Sequence, residues 1–378
     1  MISEFWIISS IEDKASQSII NYIINNFPFI QKNEFSINSI IWLKDKEYII
    51  DFEKLKENNP ELNSDYKIFK NFIKIRILTT NRKLTFIDNE LTENQIENEF
   101  KGNFLIFASR HRSESKMPSI LTHVTGNWTD DNSHGGFPNT IAIGSGILNY
   151  FAIKNLFIQK QEKNLEWPVD LEVNHHGPTN LKSCLIFMEL GSSEENDTHP
   201  IGSAVVANAI INTIFDFTIF LIKNCDLLEF FHKINESNNV NFSDSRNIIS
   251  NKQLYQFIND KLKEKKFCFS IGFGGTHYAR NFSRILLEQI NSGILDKEEV
   301  QNKNGNSNIF FITHIVPKYY IQNLTKDLII SYLKNSIEPI NNFLLDWNGL
   351  DSKNRNHISE ISKILNIKIL KTKELKFQ

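Results

Sequence analysis

Leu171–Asn180 reads LEVNHHGPTN, and the fold is decided by how that stretch begins and ends. It begins inside a short apolar run, Val169 to Val173, of strand length. It ends in two adjacent histidines and a Gly177-Pro178 turn. Three other stretches share this design. Ser109-Arg110-His111-Arg112-Ser113 follows Phe104 to Ala108, Gly274-Gly275-Thr276-His277 follows Phe267 to Phe273, and Thr313-His314 closes the run from Ile309. Ligands of α/β proteins gather beyond the carboxyl ends of strands. A histidine repeatedly placed at the end of an apolar run therefore predicts one site built from several strand ends.

Working outward, strands and helices alternate. Strands are expected at Phe5–Ser9, Ile40–Leu43, Tyr48–Phe52, Asn71–Ile77, Leu84–Ile87, Phe104–Ala108, Val169–Val173, Leu185–Leu190, Phe267–Phe273 and Ile309–Ile315. Helical periodicity marks Ser18–Asn25, Thr140–Ile158, Ile201–Lys223, Leu254–Lys263, Phe282–Ile290 and Leu324–Leu333, with a closing helix and strand over Ile358–Leu365 and Ile367–Leu370. Ser115–His134, with Pro118 and Gly126, reads as a long site-forming loop, and Asn238–Asn251 as an exposed polar insertion. The pattern is α/β with a mixed, largely parallel central sheet flanked by helices. At 378 residues the chain is long for one core. We expect an N-terminal α/β lobe over 1–95 and a catalytic α/β domain over 96–378.

A net charge of −2 argues against a protein that coats nucleic acid by neutralising phosphates. It leaves room for docking a nucleic-acid end through a local patch. Lys261, Lys263, Lys265 and Lys266 form one such patch, or simply a solvated helix end. Cys184, Cys225 and Cys268 are widely spaced without a CxxC pair, which fits a reducing compartment. MISEFWIISS has neither a basic start nor a small-residue cleavage site, so no signal peptide is expected and the cytoplasm is the expected location. Ile201–Lys223 is apolar, but Asn208, Asn212 and Asp216 recur every four residues and form a polar stripe. A core helix is expected there, and no membrane span.

His175 and His176 suit zinc ligation or general-base work, and equally a pair of partly exposed turn histidines. In a strand adjacent side chains face opposite ways, so both can serve one site only if the turn redirects one of them. Gly274 and Gly275 suit a close backbone approach to a ligand, or a structural turn. Arg110 and Arg112 beside His111 suit an anionic group, or a solvated basic loop. His314 could belong to the site or to the core. Glu189 could ligate metal, orient a histidine, or be a carboxylate held by backbone amides. No GxSxG elbow is present, so a serine nucleophile has no local support.

Taken in order, SRHRS, PSILTHVTGNW, EVNHHGPT, MELGSSEE, GFGGTHYA and HIVPKY resemble the archaeal and plant type of D-aminoacyl-tRNA deacylase over roughly residues 100–320. The chain departs from that pattern at Thr276, Arg280 and Asp197-Thr198. The resemblance implies a fold related to peptidyl-tRNA hydrolases and phosphorylase-like proteins. It implies zinc-dependent hydrolysis of the ester that joins a D-amino acid to the 3′-terminal ribose of tRNA. On that footing His175, His176 and His277, with Glu189, are expected to bind zinc or activate water. Gly274 and Gly275 would meet the oxyanion or the terminal adenosine, and Arg110 and Arg112 the 3′-end phosphates. Ser109, His111, Thr276 and His314 would line the substrate. The partner is the acceptor end of D-aminoacyl-tRNA, and a monomer is expected. The alternatives are a zinc-dependent peptidase or amidohydrolase on small molecules, and a non-catalytic binder of tRNA ends.

Overall fold

The computed structural model describes residues 3–32, 39–43, 46–58, 66–237, 249–295 and 309–377. Its strands are β1 (Ser3–Ser10), β2 (Phe29–Gln31), β3 (Tyr48–Ile50), β4 (Ile73–Thr80), β5 (Phe104–Arg110), β6 (Ser119–His123), β7 (Gly126–Asn127), β8 (Thr140–Ile141), β9 (Val169–Leu171), β10 (Cys184–Gly191), β11 (Phe267–Phe273), β12 (Ile309–Val316), β13 (Asn342–Leu345) and β14 (Lys368–Lys371). Its helices are α1 (Lys14–Asn26), α2 (Phe52–Asn58), α3 (Tyr66–Phe72), α4 (Glu93–Glu99), α5 (Gly146–Glu162), α6 (Pro200–Cys225), α7 (Leu227–Ser237), α8 (Asn251–Lys263), α9 (Arg280–Ser292), α10 (Lys326–Leu333) and α11 (Ser352–Leu365).

An eight-stranded sheet runs β2-β3-β4-β1-β5-β10-β6-β9. Its centre, β4-β1-β5-β10, is parallel, and β6 joins β10 antiparallel. The residues of β10, CLIFMELG, are all buried, as expected of a central strand covered on both faces. A second sheet, β12-β11-β13-β14, is parallel throughout. Helix α6 lies between α5 and α1. Two thirds of its most apolar stretch is buried within the protein (67%), so it is a core helix. Asn155 on α5 donates to Asp216 on its polar stripe.

Three local expectations change. Leu84–Phe86 is a short 3₁₀ turn, where a strand was expected. The run at 40–43 is reduced to a single bridge between Trp42 and Thr80. The segment read as a long loop contains β6, five buried residues wedged between β10 and β9. Pro118 before it and the polar pair Thr122-His123 within it break up the apolar run, so periodicity does not mark it. The boundary expected near residue 95 crosses a continuous sheet: β1 pairs with β4 on one side and β5 on the other. Residues 238–248 of the expected polar insertion lie outside the described residues.

The two sheets meet at the opening stretch. Beyond β9, Glu172 N still bonds to Thr122 O of β6 (3.2 Å), and from residue 173 the backbone turns to the ends of the small sheet. Val173 N donates to His277 O (3.1 Å), Ala279 N to Leu171 O (2.8 Å) and Asn174 N to Ile315 O (3.0 Å). This seam brings strand ends from both sheets to one place.

Candidate active site at the seam of the sheets

The HHGPTN turn is fixed from outside. Asp88 Oδ2 accepts from Thr179 N (2.7 Å) and Asn180 N (2.9 Å). Gly126 N donates to the His176 carbonyl (3.0 Å). His176 sits in the left-handed region at φ 45°. That turn carries its ring round beside His175, with centroids 4.4 Å apart. The strand rule that would send the two side chains to opposite faces is thereby broken.

Three histidines share one arrangement. Nδ1 of His123 donates to Val124 O (3.1 Å), Nδ1 of His175 to Val173 O (2.8 Å), and Nδ1 of His176 to Gly177 O (2.6 Å). A carbonyl only accepts, so in the neutral ring each tautomer is fixed, with the lone pair on Nε2. Second-sphere bonds of this kind prepare metal-binding histidines. The His123 ring lies 4.5 Å from His175 and 5.0 Å from His176.

Beside them stand His111, at the end of β5, and His277, with rings 5.2 Å apart. Two carboxylates lie between the groups. Glu172 turns Oε1 to His277 Nε2 (2.9 Å) and His111 Nδ1 (3.4 Å), and Oε2 to His123 Nε2 (3.6 Å). Glu189 turns Oε2 to His111 Nδ1 (3.4 Å) and Oε1 to His123 Nε2 (3.9 Å). Each carboxylate thus spans both histidine groups. Tyr278 Oη lies 3.3 Å from His111 Nε2.

The charges follow this packing. His176 is surrounded by protein and its pKa falls to about 3; His175 is pushed well down by burial and by the neighbouring histidines. Burial also pulls on His111 and His123, but Glu189 and Glu172 outweigh it and the net shift is upward. Burial likewise disfavours ionised Glu189, yet His111 and His123 hold its carboxyl well below the usual range.

These residues fit a metal. The ligand atoms of His123, His175 and His176 lie within 4.8 Å of one another, as do those of His111, Glu172 and His277, and those of His123, Glu172 and Glu189. Glu172 is buried, and neither of its oxygens accepts a well-formed hydrogen bond among the described residues; His123 Nε2 is likewise unpartnered. A buried carboxylate without donors costs several kcal/mol unless a cation offsets it. Imidazole and carboxylate together form a donor set suited to a borderline divalent ion.

Of the residues singled out from sequence, the structure brings together His175, His176, His277, Glu189 and His111. Ser109 is buried beside them, with its Oγ 3.3 Å from Asp13, which also accepts from Arg110 N (2.9 Å). The Arg110 side chain is exposed. Arg112 turns back onto the protein, with both guanidinium arms on buried Asp197 (2.7 Å for one). Gly274 and Gly275 have φ of 131° and 81°, and a Cβ at Gly274 would come within 2.5 Å of the Asp346 Cβ. Gly275 and Thr276 line a cavity next to the cluster. His314 is not in the cluster. It is fully buried, takes a hydrogen bond from Asn174 at Nδ1 (3.0 Å) and donates from Nε2 to Asn335 O (3.2 Å). It is thus bonded to Asn174, the residue before His175.

Sequence reasoning missed His123 and left Glu172 and Tyr278 without a role. His123 stands at a strand end like His111, as the last residue of β6.

The family model for D-aminoacyl-tRNA deacylase matches residues 98–225 and 237–370. The chain belongs to the D-aminoacyl-tRNA deacylase family. It is a hydrolase of that class. A D-aminoacyl-tRNA deacylase of Pyrococcus furiosus is 27% identical over 361 residues, 95% of this chain and 96% of the relative. One from Methanocaldococcus jannaschii is 27% identical over 71% of this chain and 82% of its own. A solved structure described as a conserved protein of unknown function superposes with a TM-score of 0.65 at 19% identity, covering 99% of this chain and 97% of that one. That likeness concerns the fold.

Proposed function

We propose that the seam cluster is a two-ion zinc site that hydrolyses the ester of D-aminoacyl-tRNA in the cytoplasm, releasing tRNA and the D-amino acid. The observation that carries it is the pair of carboxylates, Glu172 and Glu189, each spanning two separate histidine groups. His123, His175 and His176 would hold one ion and His111, Glu172 and His277 the other. Zinc in such a donor set supplies a Lewis acid that polarises a carbonyl and acidifies water.

The chain's own residues do the rest. Asp88 and the carbonyls of Val173, Gly177 and Val124 keep the imidazoles oriented. Glu189 stays ionised and steadies His111 and His123. With its Nδ1 turned to an ion, His111 would carry its proton on Nε2 and donate it to Tyr278 Oη (3.3 Å), which would leave the phenolic O–H free to point out of the cluster. That O–H would give its proton to the departing ribose oxygen as a water attacks the ester carbon and the bond from that carbon to the ribose oxygen breaks, and the proton shed by that water would restore the phenol. The same reading carries the relation to peptidyl-tRNA hydrolases and phosphorylase-like folds, supported by a parallel sheet core with the site at its strand ends.

The test compares hydrolysis of D-aminoacyl-tRNA, its L counterpart and a D-aminoacyl peptide by the purified chain. Rapid release from the D-aminoacyl-tRNA alone is expected. Preferential cleavage of the peptide would favour a small-molecule peptidase, and no turnover with retained tRNA binding would favour a binder.

A further inference from the structure

Next to the cluster lies a cavity of about 410 Å³, lined by Gly275, Thr276, Tyr278, Arg280, Lys318 and Asp346 among others. Its size falls in the range of about 300–1,000 Å³ typical of small-molecule and cofactor sites. Tyr278 is shared: its hydroxyl meets His111 of the cluster while the residue walls the cavity. A group bound in the cavity is therefore adjacent to the reacting centre.

The lining has two kinds of polarity. Arg280 and Lys318 carry positive charge into it, and neither has an ion-pair partner among the described residues. Arg280 lies 5.8 Å from the centroid of the Tyr278 ring, and Lys318 lies 5.1 Å from that of Tyr319, an aromatic side chain 66% exposed. Asp346 is the opposite pole. It is buried, and its Oδ1 accepts from Asn281 Nδ2 (2.8 Å) and Gly349 N (3.3 Å). No donor reaches its Oδ2 among the described residues. Gly274, bare of a Cβ, lets this carboxylate approach. A simple anion would be repelled by Asp346, and a simple cation by Lys318 and Arg280. A molecule with a phosphate at one end and hydroxyl or amino donors at the other satisfies both poles. Exposed aromatics beside cations are also what unpaired bases stack on.

Resting on the deacylase reading, we propose that this cavity is the subsite for the terminal nucleotide of the tRNA. Lys318 and Arg280 grip the 5′-phosphate of the last adenosine, Asp346 accepts from its hydroxyl or amino groups, and Tyr278 marks the point where the ribose passes to the cluster. The substrate's phosphate contact is thereby assigned away from Arg112, whose guanidinium is taken by Asp197.

The test uses the full zinc-loaded chain. Calorimetry should show 5′-AMP binding at one site per chain, with inorganic phosphate at the same concentration failing to displace it. Lys318→Ala and Arg280→Ala should each weaken AMP about tenfold. In deacylation assays the same variants should raise KM for D-aminoacyl-tRNA. The plot of log KM against log salt should become shallower by about 0.7 for each single-strand phosphate contact removed. Lys101→Ala, an exposed residue away from the cavity, should move none of these. AMP affinity equal in all variants, or phosphate displacing AMP fully, would overturn the proposal while leaving deacylation intact. Specific AMP binding by a chain that does not deacylate would support the subsite and sink the function proposed above.

Discussion

His176 lies where the large sheet meets its neighbour, and His314 lies inside the small sheet. Both were expected to close an apolar run, although β12 continues past His314 to Val316, and both have a pKa driven down by burial, to about 3 and about 4 respectively. They differ in their nitrogens. His176 commits Nδ1 to a backbone carbonyl and keeps Nε2 toward the cluster. His314 has both nitrogens bonded, to Asn174 and Asn335. A histidine read from sequence as ending an apolar run is therefore not by that alone a candidate ligand. What separates them is whether a ring nitrogen remains uncommitted and lies close to other ligand atoms, as that of His176 does to those of His123 and His175, within 4.8 Å.

The sharpest way to break this contrast is to delete each ring in turn. His176→Ala should lower kcat/KM by roughly 10²–10⁴-fold, the range for losing a group at the reacting centre, and should reduce bound zinc. His314→Gln should keep zinc and remain within about threefold of the native rate. Zinc loss from His314→Gln, measured by elemental analysis, would erase the distinction.

A second test uses pH. The folded pKa of His314, about 4, lies below its ordinary 6.5. Between those values the unfolded chain binds a proton that the folded chain refuses. Stability contributed by this group is complete above pH 6.5 and falls as pH drops toward 4, by about 3 kcal/mol in all. Urea titrations of the wild type and His314→Gln across that window should diverge in slope. Parallel curves would show that the ring is not held neutral.

The two arginines flanking His111 extend the comparison with smaller effects. Arg112→Ala leaves Asp197 buried without its partner. Because Arg112 is itself 38% exposed, a cost of about 2 kcal/mol in stability is expected, below the 3–5 of a fully buried pair. Arg110→Ala should change stability by no more than about 0.5 kcal/mol. Equal losses in the two melting curves would mean that the Asp197 pair does not hold the loop.

Much of the scaffold was legible from residue pattern. The strands that lead to His111, carry Glu189 and precede His277 are dense apolar runs, and the polar stripe at Asn208, Asn212 and Asp216 marked α6 as internal. Five of the residues singled out from sequence, His111, His175, His176, His277 and Glu189, do converge. What was hidden depends on contacts between distant segments. β6 is too short and too polar to show a period, so His123 looked like a loop residue. Glu172 resembles any strand-end acid until the seam buries it without donors. The commitment of Arg112 depends on Asp197, 85 positions away, and that of His314 on Asn174, 140 positions away.

Two histidine groups joined by Glu172 and Glu189 are proposed to hold zinc, and that proposal stands or falls with the metal dependence of deacylation. The most direct measurement is the rate of D-aminoacyl-tRNA hydrolysis by the chelator-stripped chain as zinc is returned stepwise. The account predicts a rate near background without metal and full recovery at two equivalents per chain. Full activity of the stripped chain, with no response to zinc, would contradict it.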